Sequence, residues 1–175
     1  DIGRGRGPKT ALSARLRSRC PMPLDTTTRM LAPFLDRLTD EELDAIPYGV
    51  VRLDRSGQVL ACNQAEADNA GLTGRPLGRH FFTEVYPSAN VPEFHDRVMD
   101  GVHHGRLDAT FGFTFSCDLM PRRVLVRAYY AGRTDSVWLF FAKPDGSPFE
   151  LSPATSPNIR PTPSHGIDLR NSRVA

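Results

Sequence analysis

The chain has 175 residues, of which 39% are hydrophobic and 24% charged, and its formal net charge is +2. That length suits one domain with tails, and that balance suits a globular core, which excludes a fibrous repeat and wholesale disorder. No apolar run approaches the roughly 20 residues of a membrane span, and Cys20, Cys62 and Cys117 lack the spacing of a disulfide framework or a structural zinc site, so a cytoplasmic protein with reduced thiols and no membrane partner is expected.

Residues 1–30 read as a basic extension, disordered or not native, with Arg4, Arg6, Lys9, Arg15, Arg17 and Arg19 all preceding Met22. A basic arm can neutralise phosphates, but this one has no interleaved aromatics and no DNA-reading motif, which argues against nucleic acid as a partner. The other reading is translation of an upstream reading frame or cloning-derived sequence, with Met22 or Met30 as the true start. GRGRG at residues 3–7 follows no strand and is not a dinucleotide fingerprint.

The domain is expected over residues 31–143. Thr39 followed by Glu42 in TDEEL is a capping box and predicts a short helix. Residues 48–53 and 58–62 are β-prone runs separated by Asp54, Arg55, Ser56 and Gly57, which predicts a β-hairpin. The helix-tolerant stretch NQAEADNAGL at 63–72 then runs into Gly71, Gly74, Pro76 and Gly78, so short helical turns and loops follow. Phe94, Val98 and Val102 recur at intervals of four and predict an amphipathic helix over 93–102.

From Arg106 onward the pattern alternates. Leu107, Ala109, Phe111, Phe113 and Phe115 share one parity, and 124–130 and 136–142 repeat the strand character, predicting three consecutive antiparallel strands. The connections are 118–122 and 132–135, and Trp138 and Phe140 are expected on the same buried face as the Phe111 series. Residues 144–175 carry many prolines among small polar residues and read as a disordered tail.

Chemistry-bearing constellations are missing from this pattern: there is no nucleophile with a base, no paired carboxylates and no phosphate-cradling loop, so an enzyme is not expected. His95, His103 and His104 lack metal-pair spacing and read as helix surface, which leaves neither zinc nor haem favoured. The phenylalanines must supply the core of so small a domain before they can wall a ligand.

Two strands, short helices and three more strands make an α+β arrangement of the PAS type, a central five-stranded antiparallel sheet flanked by short helices. The segments YGVVRLDRSGQVLACNQAE, RHFFTEVYPSANVPEFHDRVMDGVHHGRLDATFGFTF and VWLFFAK, in that order, resemble the photoactive yellow protein family over roughly residues 43–143. In that family a cysteine forms a thioester with 4-hydroxycinnamic acid, and a glutamic acid and a tyrosine hydrogen-bond the phenolate. The resemblance implies a pocket in which Glu66 matches the glutamic acid and Phe81 and Phe115 lie at the chromophore. Cys62 and Cys117 replace family tyrosines there, and Arg75 matches the arginine that gates the phenolate end.

Ser88, in VYPSAN, stands where the attachment cysteine belongs. A serine hydroxyl without an adjacent base does not form that thioester, which argues against covalently held 4-hydroxycinnamic acid. No flavin-binding cysteine motif is present either. The resemblance thus implies a bacterial signal-transduction module that binds a small apolar or aromatic ligand non-covalently and addresses a protein partner in trans. A photoreceptor with a pigment not linked through cysteine, a ligand-free interaction domain and a homodimer remain open.

Overall fold

The computed structural model describes residues 23–116 and 121–149. The basic arm before Met22, Cys117, most of the expected 118–122 connection and the prolines beyond residue 150 lie outside the described residues.

Helix α1 (Leu24–Leu31) straddles the boundary expected at residue 31, and a 3-10 turn (Leu35–Arg37) follows it. The capping box forms as the sequence predicts, at the start of α2 (Asp40–Asp44). The Thr39 N–H donates to Glu42 Oε2 at 3.0 Å, and the Glu42 N–H donates to Thr39 Oγ1 at 3.3 Å. Strands β1 (Gly49–Leu53) and β2 (Val59–Cys62) make the expected hairpin. Its turn is closed by Asp54, which accepts the Ser56 and Gln58 N–H groups, and by Gly57 at φ +87°.

Helix α3 (Gln64–Asn69), a single π-helical turn (Phe81–Val85), a 3-10 turn (Pro87–Ala89) and helix α4 (His95–His103) connect the hairpin to the last three strands. These are β3 (Asp108–Phe115), β4 (Arg122–Ala131) and β5 (Ser136–Ala142). The five strands form one antiparallel sheet in the order β2-β1-β5-β4-β3, the α+β architecture expected of the PAS arrangement. The last strand among the described residues is therefore the centre of the sheet, and β1 and β4 meet only through it.

All seven residues of β5 are buried, because both faces of the sheet are covered. This corrects the expectation that Trp138 and Phe140 share a face with the Phe111 series. Directly paired residues point the same way across a sheet, and Phe111 pairs with Val126, which pairs with Phe141. Val137, Leu139 and Phe141 thus face Phe111 and Phe115 under the connecting helices, whereas Trp138, Phe140 and Ala142 face Leu24, Leu31 and Leu35 of the N-terminal segment. Salt bridges fasten that segment to the sheet: Arg127 reaches Asp25 at 3.4 Å, and Arg133 reaches Asp36 at 3.1 Å. Among the described residues, no helix is long and apolar enough to cross a membrane.

Candidate functional site

The site is built where α3 lies against β1. Asn63 caps the helix: its Oδ1 accepts the Glu66 N–H at 3.0 Å and the Val50 N–H at 2.9 Å. Its amide group also donates to the carbonyls of Leu43, Ile46 and Tyr48 at 3.3, 3.5 and 2.8 Å. Asn63 therefore orients the first turn of α3, which aims Glu66 into the interior.

Glu66 is 1% exposed. Its carboxyl comes so close to the β1 backbone that a Cβ built on Gly49 would lie 1.9 Å from Oε2, so any side chain there has to displace the carboxyl. Both carboxyl oxygens act as acceptors. The Tyr86 hydroxyl donates to Oε1, and Arg122 Nη2 donates to Oε2 at 3.4 Å. Arg122 Nη1 also lies 3.5 Å from the Tyr86 hydroxyl and 3.3 Å from the Asn69 carbonyl.

Burial pushes the Glu66 carboxyl above its ordinary range, and it prevails over the Arg122 charge and the Tyr86 hydrogen bond, which pull the other way. Burial and the neighbouring Glu66 push the Tyr86 phenol up strongly, keeping it protonated as the donor. Burial would lower the Arg122 guanidinium, but Glu66 and Tyr86 beside it more than offset this and raise it.

Aromatic rings enclose the phenol. Tyr86 lies 4.6 Å from Phe115, 5.2 Å from Phe81 and 6.4 Å from Phe141, centroid to centroid, and Phe94 stacks on Phe81 at 6.1 Å. Phe81, Phe94, Phe115 and Phe141 are fully buried, so the niche is dry around its one polar triad.

The structure thus brings together three of the sequence-predicted site residues, Glu66, Phe81 and Phe115. Cys62 is buried at the end of β2 beside α3, and its Sγ donates to the Asn63 carbonyl at 3.5 Å. Burial and then the charge of Glu66 push its thiol up to about 12, which leaves it an inert hydrophobe. Ser88 is half-buried in the 3-10 turn after Tyr86. Arg75 turns to Asp44 at 2.5 Å and Asp40 at 3.9 Å, both on α2. A solvent-open depression of about 530 Å³ lies apart from this niche, against β3 and β4, and includes Gly112, Thr114 and Arg123.

Sequence reasoning missed Tyr86 and Arg122. The signal for the first was a lone phenol two residues before Ser88, at the end of the apolar cluster of Phe81, Phe82 and Val85. Arg122 belongs to a PRR run that read as a turn, and nothing local distinguishes it from its exposed neighbour Arg123.

No family model matches the chain. The photoactive yellow protein of Halochromatium salexigens is 36% identical over 110 residues, covering 61% of this chain and 86% of that protein. That of Rhodothalassium salexigens is 35% identical over 105 residues, covering 58% and 82%. Among solved structures, the photoactive yellow protein domain of the sensor histidine kinase Ppr from Rhodospirillum centenum superposes with a TM-score of 0.60 at 39% identity, over 64% of this chain and 99% of that one.

Proposed function

The chain belongs to the photoactive yellow protein family, and on that premise we propose that it is a PAS-type sensory module that signals to a protein partner in trans without a thioester-linked pigment. The observation that carries the reading is Tyr86. Its phenol hydrogen-bonds the buried Glu66 inside a cage of phenylalanines, and the thiol needed for covalent attachment is replaced by Ser88. A ring and hydroxyl of the chain's own fill the niche that the family resemblance assigns to an external phenol.

A small aromatic ligand therefore enters only when Tyr86 turns out, and it is held by packing and hydrogen bonds alone. Such exchange constitutes sensing when the two positions of Tyr86 present different surfaces to the partner. The close packing of Tyr86 against Phe115 also favours a second reading, a ligand-free interaction domain.

Mass spectrometry of one gently purified sample, native and then denaturing, tests the proposal together with its absorption spectrum. The expected results are an adduct that is lost on denaturation, or a bare mass that gains one when aromatic compounds are added. An adduct that survives denaturation, with a visible absorption band beyond that of tryptophan and tyrosine, would overturn it. A mass that stays bare under all conditions would establish the second reading.

Tyr86→Ala provides a sharper form of the same test. Removing the buried ring is expected to cost about 4 kcal/mol. Added 4-methylphenol, the tyrosine side chain as a free molecule, should restore part of the lost melting temperature in the variant and raise that of the wild type less, because there it has to displace Tyr86.

A further inference from the structure

Arg122 opens β4 and has two kinds of partner. On one side its guanidinium meets the buried acceptors, Glu66 Oε2 at 3.4 Å, the Asn69 carbonyl at 3.3 Å and the Tyr86 hydroxyl at 3.5 Å. On the other it lies over the ring of Phe149, 4.6 Å from the centroid. Its side chain is 17% exposed, so it stands at the border between the dry niche and solvent.

Phe149 lies on an arm that leaves the sheet after β5. The arm turns at residues 143–147, where the Gly146 N–H donates to the Lys143 carbonyl and the Lys143 N–H to the Ser147 carbonyl, each at 2.8 Å. The Tyr48 hydroxyl donates to the Gly146 carbonyl at 3.4 Å, fixing the base of the arm. Phe149 then packs, partly buried, on the inner core beside the guanidinium.

We propose that Arg122 couples the Glu66 carboxyl to the seating of this arm, so that a change at the buried carboxyl is reported at the surface by Phe149. A guanidinium is planar and presents its edge to acceptors and its face to a ring at the same time. The carboxylate fixes the plane; the plane fixes the platform for Phe149. When Glu66 is neutralised, or engages another donor, the guanidinium loses its anionic anchor and turns to the water that it already touches. The other ionisable groups around the carboxyl are the Tyr86 phenol and the Cys62 thiol, and burial keeps both neutral. The coupling holds whether or not a ligand enters the niche, so it stands or falls separately from the proposed function.

Linkage requires the effect to be mutual: whatever Glu66 does to the arm, the arm does to Glu66. Amide hydrogen exchange on the full chain tests one direction. Glu66→Gln is expected to accelerate exchange at the amides of Asp145, Gly146, Ser147 and Phe149 about fivefold, the low end of ordinary coupling, with the five strands protected as in the wild type. Arg122→Lys keeps the charge and loses the plane, and should loosen the same residues. Carboxyl-carbon NMR tests the reverse direction, with Phe149→Ala expected to move the titration of Glu66. Unchanged exchange of the arm in both variants, acceleration spread evenly over arm and sheet, or a Glu66 titration indifferent to Phe149→Ala would overturn the coupling.

Discussion

Asn63 and Glu66 stand three residues apart at the start of α3, both buried, and their partners differ in kind. Asn63 is neutral, and backbone groups alone satisfy it, from the strand beside it and the segment before it. Glu66 is ionisable and is satisfied by two side chains, one a buried phenol and one reaching solvent. Backbone partners cannot leave without unfolding, whereas side-chain partners can change rotamer within the native state. One end of the helix is therefore scaffold, and the next turn is free to act.

The largest effect should come from breaking the scaffold half. Asn63→Ala strands the Val50 N–H, removes the helix cap and leaves three carbonyls short of a donor, at an expected cost of about 4 kcal/mol. Urea denaturation should register that loss as a lower midpoint with an unchanged slope; a shift of a few tenths would mean that water replaces the amide and that the two halves do not differ.

Gly49→Ala probes the contact between the halves. The new methyl falls where Glu66 Oε2 now sits, so the carboxyl must withdraw from Arg122. We expect a loss of about 2 kcal/mol, and a melting temperature equal to that of the wild type would show that the carboxyl has room to spare.

The smallest effect is a pH dependence. The folded-state pKa of Glu66 is raised above the usual 4.5, so its contribution to stability is complete below the unfolded value and is lost as pH rises toward the folded one. The slope is at most about 1.4 kcal/mol per pH unit. Glu66→Gln should flatten that part of the stability curve from pH 4.5 upward, leaving Asn63 and its contacts unaffected. Parallel curves for wild type and variant would mean that the carboxyl ionises as easily folded as unfolded.

The local features of the fold were legible because their causes are local. The capping box at Thr39, the turn at 54–57 and the parity of Leu107 to Phe115 each follow from residues a few positions apart. Which face Trp138 takes was not legible, since the six apolar residues from Val137 to Ala142 carry no alternation to read. In the site, Glu66 was reached through the family resemblance. Its partners were not, because Tyr86 and Arg122 are 20 and 56 positions away and only the closed fold makes them neighbours.

The central place of β5 also has a consequence for how the chain reaches its native state. The β1–β2 and β3–β4 hairpins are each closed by neighbouring segments, but no strand pairing joins them until β5 slides between β1 and β4. During synthesis that strand emerges last of the five, so two half-sheets must wait with unpaired edges and apolar faces uncovered, and the slow, non-local step of assembly comes at the end. Premature termination between Ala131 and Ser136 would yield two unjoined strand pairs, a prime target for chaperones and proteases.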